Sequence, residues 1–199
     1  DLAEHIIQLA GDPPSHIVVP AMHKTREEVA DLFKARHADP HKSDDVAELV
    51  ESARRELRPK YVNADIGISG ANFLIADTGS IVTVTNEGNA ELTTQLPKVH
   101  IVNVGIEKLV PSMRHCSVFL RLLARAALGT EITQYTTFYN GPKRAGDRDG
   151  PDELHIVLVD NRRTEILDGP MRKMLRCIRC GACMNHCPVY NSIGGHPYG

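Results

Sequence analysis

The chain has 199 residues, 42% of them hydrophobic and 24% charged, with 15 Gly, 12 Pro and no Trp, which is enough for one full domain and a small appendage. These fractions exclude a disordered chain, a collagen and a disulfide scaffold. The formal net charge of −2 excludes a global basic field for nucleic acid, and apolar runs such as Ile17-Val18-Val19 fall far short of the ~20 residues that cross a bilayer. No signal peptide or initiating Met precedes Asp1-Leu2-Ala3-Glu4, so the chain is expected to be a fragment.

In chain order, Leu2–Ala10 has helical apolar spacing and stops at Gly11-Asp12-Pro13-Pro14. The β-branched run His16–Val19 predicts a short buried strand. Thr25-Arg26-Glu27-Glu28 has the form of a capping box and opens a helix to about Arg36, with Val29, Leu32 and Phe33 inward. After the loop Ala38-Asp39-Pro40, Ser43 is placed to cap a helix from Asp44 to about Leu57. Asn72–Ala76 and Ile81–Thr85 flank a turn at Asp77-Thr78-Gly79-Ser80 and predict a hairpin. His100–Val104 reads as a strand, and Ser112 to Gly129 frames a long amphipathic helix. Strands are expected at Ile132–Tyr139 and His155–Asp160, separated by a charged, Gly/Pro-rich loop at Gly141–Pro151. Helices alternating with short strands predict an α/β domain over residues 1–168, with some antiparallel pairing at the Thr78-Gly79 turn.

The composition breaks near Asp168-Gly169-Pro170. Residues 169–199 hold Arg172, Lys173, Arg176 and Arg179 and no Asp or Glu. Within them lies Cys177-Ile178-Arg179-Cys180-Gly181-Ala182-Cys183-Met184-Asn185-His186-Cys187-Pro188, the C-x₂-C-x₂-C-x₃-C-P spacing of bacterial ferredoxins. Two-residue gaps curl the chain around one cube of iron and sulfide. Gly181 lets the backbone pass close to the inorganic core, and Pro188 sets the chain direction after the last thiol. Structural zinc is the competing reading, but it normally pairs two knuckles separated by a dozen or more residues. Cys177, Cys180, Cys183 and Cys187 are therefore the candidate ligands of a 4Fe-4S cluster. A single cluster of thiols in an otherwise Cys-poor chain indicates a reducing compartment, the cytosol, with peripheral attachment at the inner membrane face left open.

In two-cluster ferredoxins the fourth cysteine of such a run serves the other cluster. No second run is present, and Cys116, the one spare cysteine, falls in the long helix. Two clusters are thus expected in the intact protein, with little or no iron on this fragment alone. The acid-free tail either stabilises a negatively charged cluster, or is a solvated basic face, or is a patch that docks an acidic partner.

Several motifs together resemble one family. They are Ser69-Gly70-Ala71-Asn72-Phe73-Leu74-Ile75-Ala76-Asp77-Thr78-Gly79-Ser80, Thr85-Asn86-Glu87-Gly88-Asn89, Gly105-Ile106-Glu107-Lys108, Asp149-Gly150-Pro151, the cysteine run, and Gly194-Gly195-His196-Pro197-Tyr198-Gly199. Their order is similar to that in the LUD domain of the lactate-utilization iron–sulfur proteins. The resemblance implies an α/β fold of the NagB/RpiA/CoA-transferase type followed by a pair of four-iron motifs, of which residues 169–199 would be the first half. It implies an electron-transfer subunit of a complex that oxidises L-lactate to pyruvate, partnered by a hydroxyacid-oxidising component and a downstream acceptor such as a quinone. Neither nucleic acid nor a transmembrane segment belongs to this picture.

The fold analogy also offers an enzyme reading, in which a phosphorylated or CoA-linked ligand binds and Glu87 or Glu107 is a nucleophile. The Thr78-Gly79-Ser80 turn would then present N–H groups to an anion. Against it, each glutamate can be a surface or capping carboxylate. His37 and His41 form a tempting metal pair, but both are ordinary among 10 histidines. Cys116 reads as a packed core thiol, Arg121 and Arg125 as a solvated helix edge, and Asn72 and Asn86 as turn residues. Tyr190, Tyr198 and His196 either cover a cluster from solvent or belong to a loose end.

Overall fold

A computed structural model of the chain describes residues 2–39 and 42–198. It divides into one unit formed by residues 1–60 and 179–199 and another formed by residues 61–178.

The first unit is helical. α1 (Leu2–Ala10), α2 (Arg26–Arg36) and α3 (Val46–Val62) enclose Ile6, Ala30, Phe33, Leu49 and Ala53, with Leu2, Leu9, Val29 and Leu32 packed around them. Thr25 forms the expected capping box: its side chain accepts the Glu28 N–H, and Glu28 accepts the Thr25 N–H at 2.8 Å. α3 departs from expectation at both ends. Asp45, whose carboxylate accepts the Ala47 N–H, precedes its first turn in place of Ser43, and the helix runs through Pro59 to Val62. His37 lies in this core, its Nδ1 2.9 Å from Ser52 Oγ and its Nε2 3.1 Å from His5 Nε2, so it is a structural histidine. His41 lies outside the described residues.

The predicted strand at His16–Val19 is a loop. The His16 Nδ1 accepts the N–H groups of both Val18 and Val19, at 3.1 and 3.2 Å, and so takes the donors that a β-ladder would need. The short helices α7 (Ala182–His186) and α8 (Pro188–Ile193) also belong to this unit.

The second unit contains two sheets. β1 (Ile66–Ser69), β4 (Val99–Gly105) and β7 (Glu153–Val159) form a parallel sheet in the order β1-β4-β7. β5 (Leu109–Val110), β2 (Phe73–Ile75), β3 (Ser80–Thr85) and β6 (Tyr135–Tyr139) form a mixed sheet in the order β5-β2-β3-β6. The hairpin β2–β3 turns at Gly79, whose φ of 70° suits a residue without Cβ. Leu74 and Ile81 of the mixed sheet meet Val102 and Val104 of the parallel one, and this cluster is the core between the sheets.

Three helices complete the second unit. α4 (Asn89–Gln95) lies close over Gly67: a Cβ there would stand 1.8 Å from the Thr93 carbonyl oxygen. α5 (Met113–Leu128) follows Ser112 and closes at Gly129 as predicted, burying Cys116, Leu123 and Ala124 and stacking Phe119 on Phe73 at 5.4 Å. The expected Ser112 side-chain cap is absent, because its Oγ is 2.8 Å from His115 Nδ1. α6 (Arg163–Asp168) leads toward the cysteine run. Among the described residues no helix is long and apolar enough to cross a membrane.

Candidate iron–sulfur segment

The cysteine run is built from tight turns. A 3₁₀ turn over Arg172–Arg176 delivers Cys177, whose N–H donates to the Met174 carbonyl and whose own carbonyl accepts the Lys108 ammonium at 3.0 Å. Lys108 is only 8% exposed, so the segment before the run is tied to an interior cation. Arg179 and Gly181 both take the left-handed conformation, with φ of 59° and 77°. At Gly181 this is the natural residue; at Arg179 it carries the modest strain of a non-glycine residue there. α7 then carries Cys183. Cys187 caps α8, its Sγ accepting the Tyr190 N–H at 3.5 Å, with Pro188 in the first helical position.

The four cysteines of the run form no disulfide; Cys177 and Cys183 are exposed and Cys180 and Cys187 half-buried. Among the described residues no group of three or more His, Cys, Asp or Glu side chains stands together as a metal-holding set. The donor chemistry nonetheless suits iron and sulfide: four thiols outside any disulfide on tight turns, a glycine whose backbone is free of Cβ, and a sequence without carboxylates from 169 onward. Cys116 is a different kind of thiol. It is fully buried in α5, and burial pushes its pKa up, as a core thiol requires.

The other candidates resolve individually. Glu107 is engaged by the Arg163 guanidinium and folds back over Gly105, so it is a paired structural carboxylate. Glu87 is exposed on the loop before α4. The Thr78-Gly79-Ser80 turn uses its N–H groups internally: Gly79 donates to the Ile75 carbonyl and Ser80 to Thr78 Oγ1. Asn72 and Asn86 accept backbone N–H groups from Val84 and Gln134, which makes them turn and strand-end pins. Arg125 donates to the Arg121 carbonyl along an exposed helix edge. Tyr190 donates from its hydroxyl to the Ser15 carbonyl at 2.8 Å, and His196 lies edge-on to His23. The Tyr198 side chain is outside the described residues.

Two polar pairs escaped the sequence reading. Ser69 Oγ is 2.7 Å from His100 Nε2, with His100 buried and its pKa lowered by that burial. Thr137 donates to Glu91 at 2.6 Å. The sequence signal for His100 is its place in a mainly apolar strand.

A family model for the LUD domain matches residues 1–159. The chain belongs to the LUD-domain family. Behind the LUD domain, a family model for a 4Fe-4S dicluster domain matches residues 173–199, which include the whole cysteine run. The LUD-family chain is 51% identical to the Lactate utilization protein B of Geobacillus thermodenitrificans (strain NG80-2) over 200 residues. It is 50% identical to the proteins of that name from Shouchella clausii (strain KSM-K16) and Bacillus subtilis (strain 168). In each case all of this chain is covered, but only 42% of the relative, so it spans well under half the length of these curated relatives. Among solved structures, a DUF162 family protein from Deinococcus radiodurans is similar over 51% of this chain and 57% of its own, with 19% identity and a TM-score of 0.39.

Proposed function

We propose that this LUD-family chain is part of an electron-transfer subunit in a system that oxidises L-lactate to pyruvate. Cys177, Cys180, Cys183 and Cys187 would supply the thiolates of its iron–sulfur centres. The observation that carries the reading is the C-x₂-C-x₂-C-x₃-C-P run itself, which lies inside a segment matching a 4Fe-4S dicluster domain. The lactate assignment rests on relatives named Lactate utilization protein B. In this reading residues 1–168 are the LUD domain and 169–199 begin the ferredoxin-type part. The fourth thiolate of the run goes to a second centre, whose remaining ligands come from outside these residues.

A bound cluster supplies one-electron chemistry at a potential set by its surroundings. The chain's own residues hold and shield it. Arg172, Lys173, Arg176 and Arg179 place positive charge beside the run, which favours the reduced, more negative state. The partners are a component that oxidises the hydroxyacid and a downstream acceptor, with the system cytoplasmic. Of the two glutamates in the enzyme alternative, Glu107 is held by Arg163.

Anaerobic assembly of the intact protein with iron and sulfide tests this directly. The expected product is brown, gives the electron paramagnetic resonance of reduced four-iron centres, and is reduced by lactate when the partner components are present. A colourless protein that retains zinc on the same thiols would overturn the proposal.

A further inference from the structure

His16 is 6% exposed and its Nε2 has no hydrogen-bond partner. Its Nδ1 accepts the N–H groups of Val18 and Val19, so the lone pair is on Nδ1 and the ring proton of the neutral imidazole is on Nε2. The group left over is therefore a buried N–H donor in need of an acceptor, an arrangement that native structures rarely tolerate.

That donor faces the cysteine run. A Cβ built on Gly181 would stand 3.0 Å from His16 Cε1 and 3.4 Å from His16 Nε2, so the Cε1–Nε2 edge of the ring lies against the backbone between Cys180 and Cys183. The contact is held from both directions within one unit of the fold. Tyr190, three residues beyond Cys187, sets its ring edge-on to His16 and donates its hydroxyl to the Ser15 carbonyl. On the other side, Ser15 bonds both the Pro20 carbonyl and His23 Nδ1, which braces the loop that carries His16.

We propose that His16 Nε2–H donates a hydrogen bond to a sulfur of the iron–sulfur centre carried by the cysteine run and thereby raises its reduction potential. The inference rests on the iron–sulfur reading above. A sulfide or thiolate of a four-iron centre is a large, negatively charged acceptor, and donors to such sulfurs stabilise the reduced state. His16 is a tuning residue, not an iron ligand.

Two substitutions separate its two roles. In His16→Asn the amide oxygen takes the place of Nδ1 and keeps the Val18 and Val19 bonds, but no donor reaches the Nε2 position. In His16→Gln the amide nitrogen reproduces the Nε2 donor. In intact protein assembled anaerobically, spectroelectrochemistry is expected to place the midpoint potential of His16→Asn below wild type and that of His16→Gln near it. Equal potentials in all three would overturn the inference. Should His16→Asn fail to fold, pulsed electron paramagnetic resonance on reduced protein carrying imidazole-¹⁵N histidine decides, with His186, the imidazole next to Cys187, replaced in His186→Asn so that it contributes no coupling. A ¹⁵N coupling to the centre supports the inference, and its absence overturns it. A wild-type protein that assembles no iron–sulfur centre overturns the proposed function, and the role of His16 falls with it.

Discussion

At Gly67 a missing side chain lets α4 lie against β1, because the Thr93 carbonyl occupies the space that a Cβ would take. Gly67→Ala is therefore expected to destabilise the protein by about 1–3 kcal/mol through overpacking, read as a lowered denaturation midpoint in urea. The cysteines divide at the same scale. Replacing Cys180 or Cys183 by Ser should lower the iron bound per chain after anaerobic assembly while leaving the urea midpoint of the apoprotein nearly unchanged. Cys116→Ser should do the opposite, leaving iron content intact and costing roughly 1–3 kcal/mol for burying a hydroxyl in place of a thiol. Nothing about a cysteine taken alone separates these cases; spacing does, and burial agrees. Glu107 shows the converse. Its candidacy as a nucleophile was reasonable on the page, but the Arg163 guanidinium that holds it lies in a distant part of the sequence.

Among the elements, the boundaries at Thr25 and Gly129 are legible in the sequence, whereas Ser43 does not begin α3 and Ser112 provides no side-chain cap. The Thr25 capping box opens α2 because both of its hydrogen bonds form within one turn of chain. Thr25→Ala should cost about 1 kcal/mol, measured as a shift in thermal or urea unfolding. Gly129 closes α5 for a similarly local reason, accepting a left-handed φ of 72° and donating to the Arg125 carbonyl. The elements that misled are those whose identity depends on a partner. His16–Val19 has strand composition, yet no strand pairs with it and an imidazole takes its N–H groups. β1 was not foreseen because Gly67 and Ser69 interrupt its apolar pattern; it exists because β4 pairs with it in parallel, Gly67 opposite His100.

For the whole molecule, the buried histidines make stability depend on pH. Burial lowers the pKa of His100, and burial followed by the neighbouring His37 lowers that of His5. The unfolded chain takes up protons as pH falls through about 6.5 while the folded chain resists, so stability is full above that value and is lost below it. The melting temperature is expected to fall as pH drops from 7 toward 5, and His5→Gln should make that decline shallower. A melting temperature that rises on acidification over this range would contradict the assignment of both rings as neutral.

The α/β class, the Thr25 capping box, the helix stop at Gly129, the hairpin at Gly79 and the four thiols at ferredoxin spacing were determined by sequence alone, and the local ones among them because their side chains and backbone groups lie within a few residues of one another. Tertiary structure decided which polar groups found partners: His37 with His5 and Ser52, Glu107 with Arg163, Lys108 with the Cys177 carbonyl, and His16 Nε2 with none although the ring lies against Gly181. Those outcomes depend on which distant segments the burial of apolar surface brings together, and a hydrogen-bonding group takes whatever acceptor that packing leaves within about 3 Å.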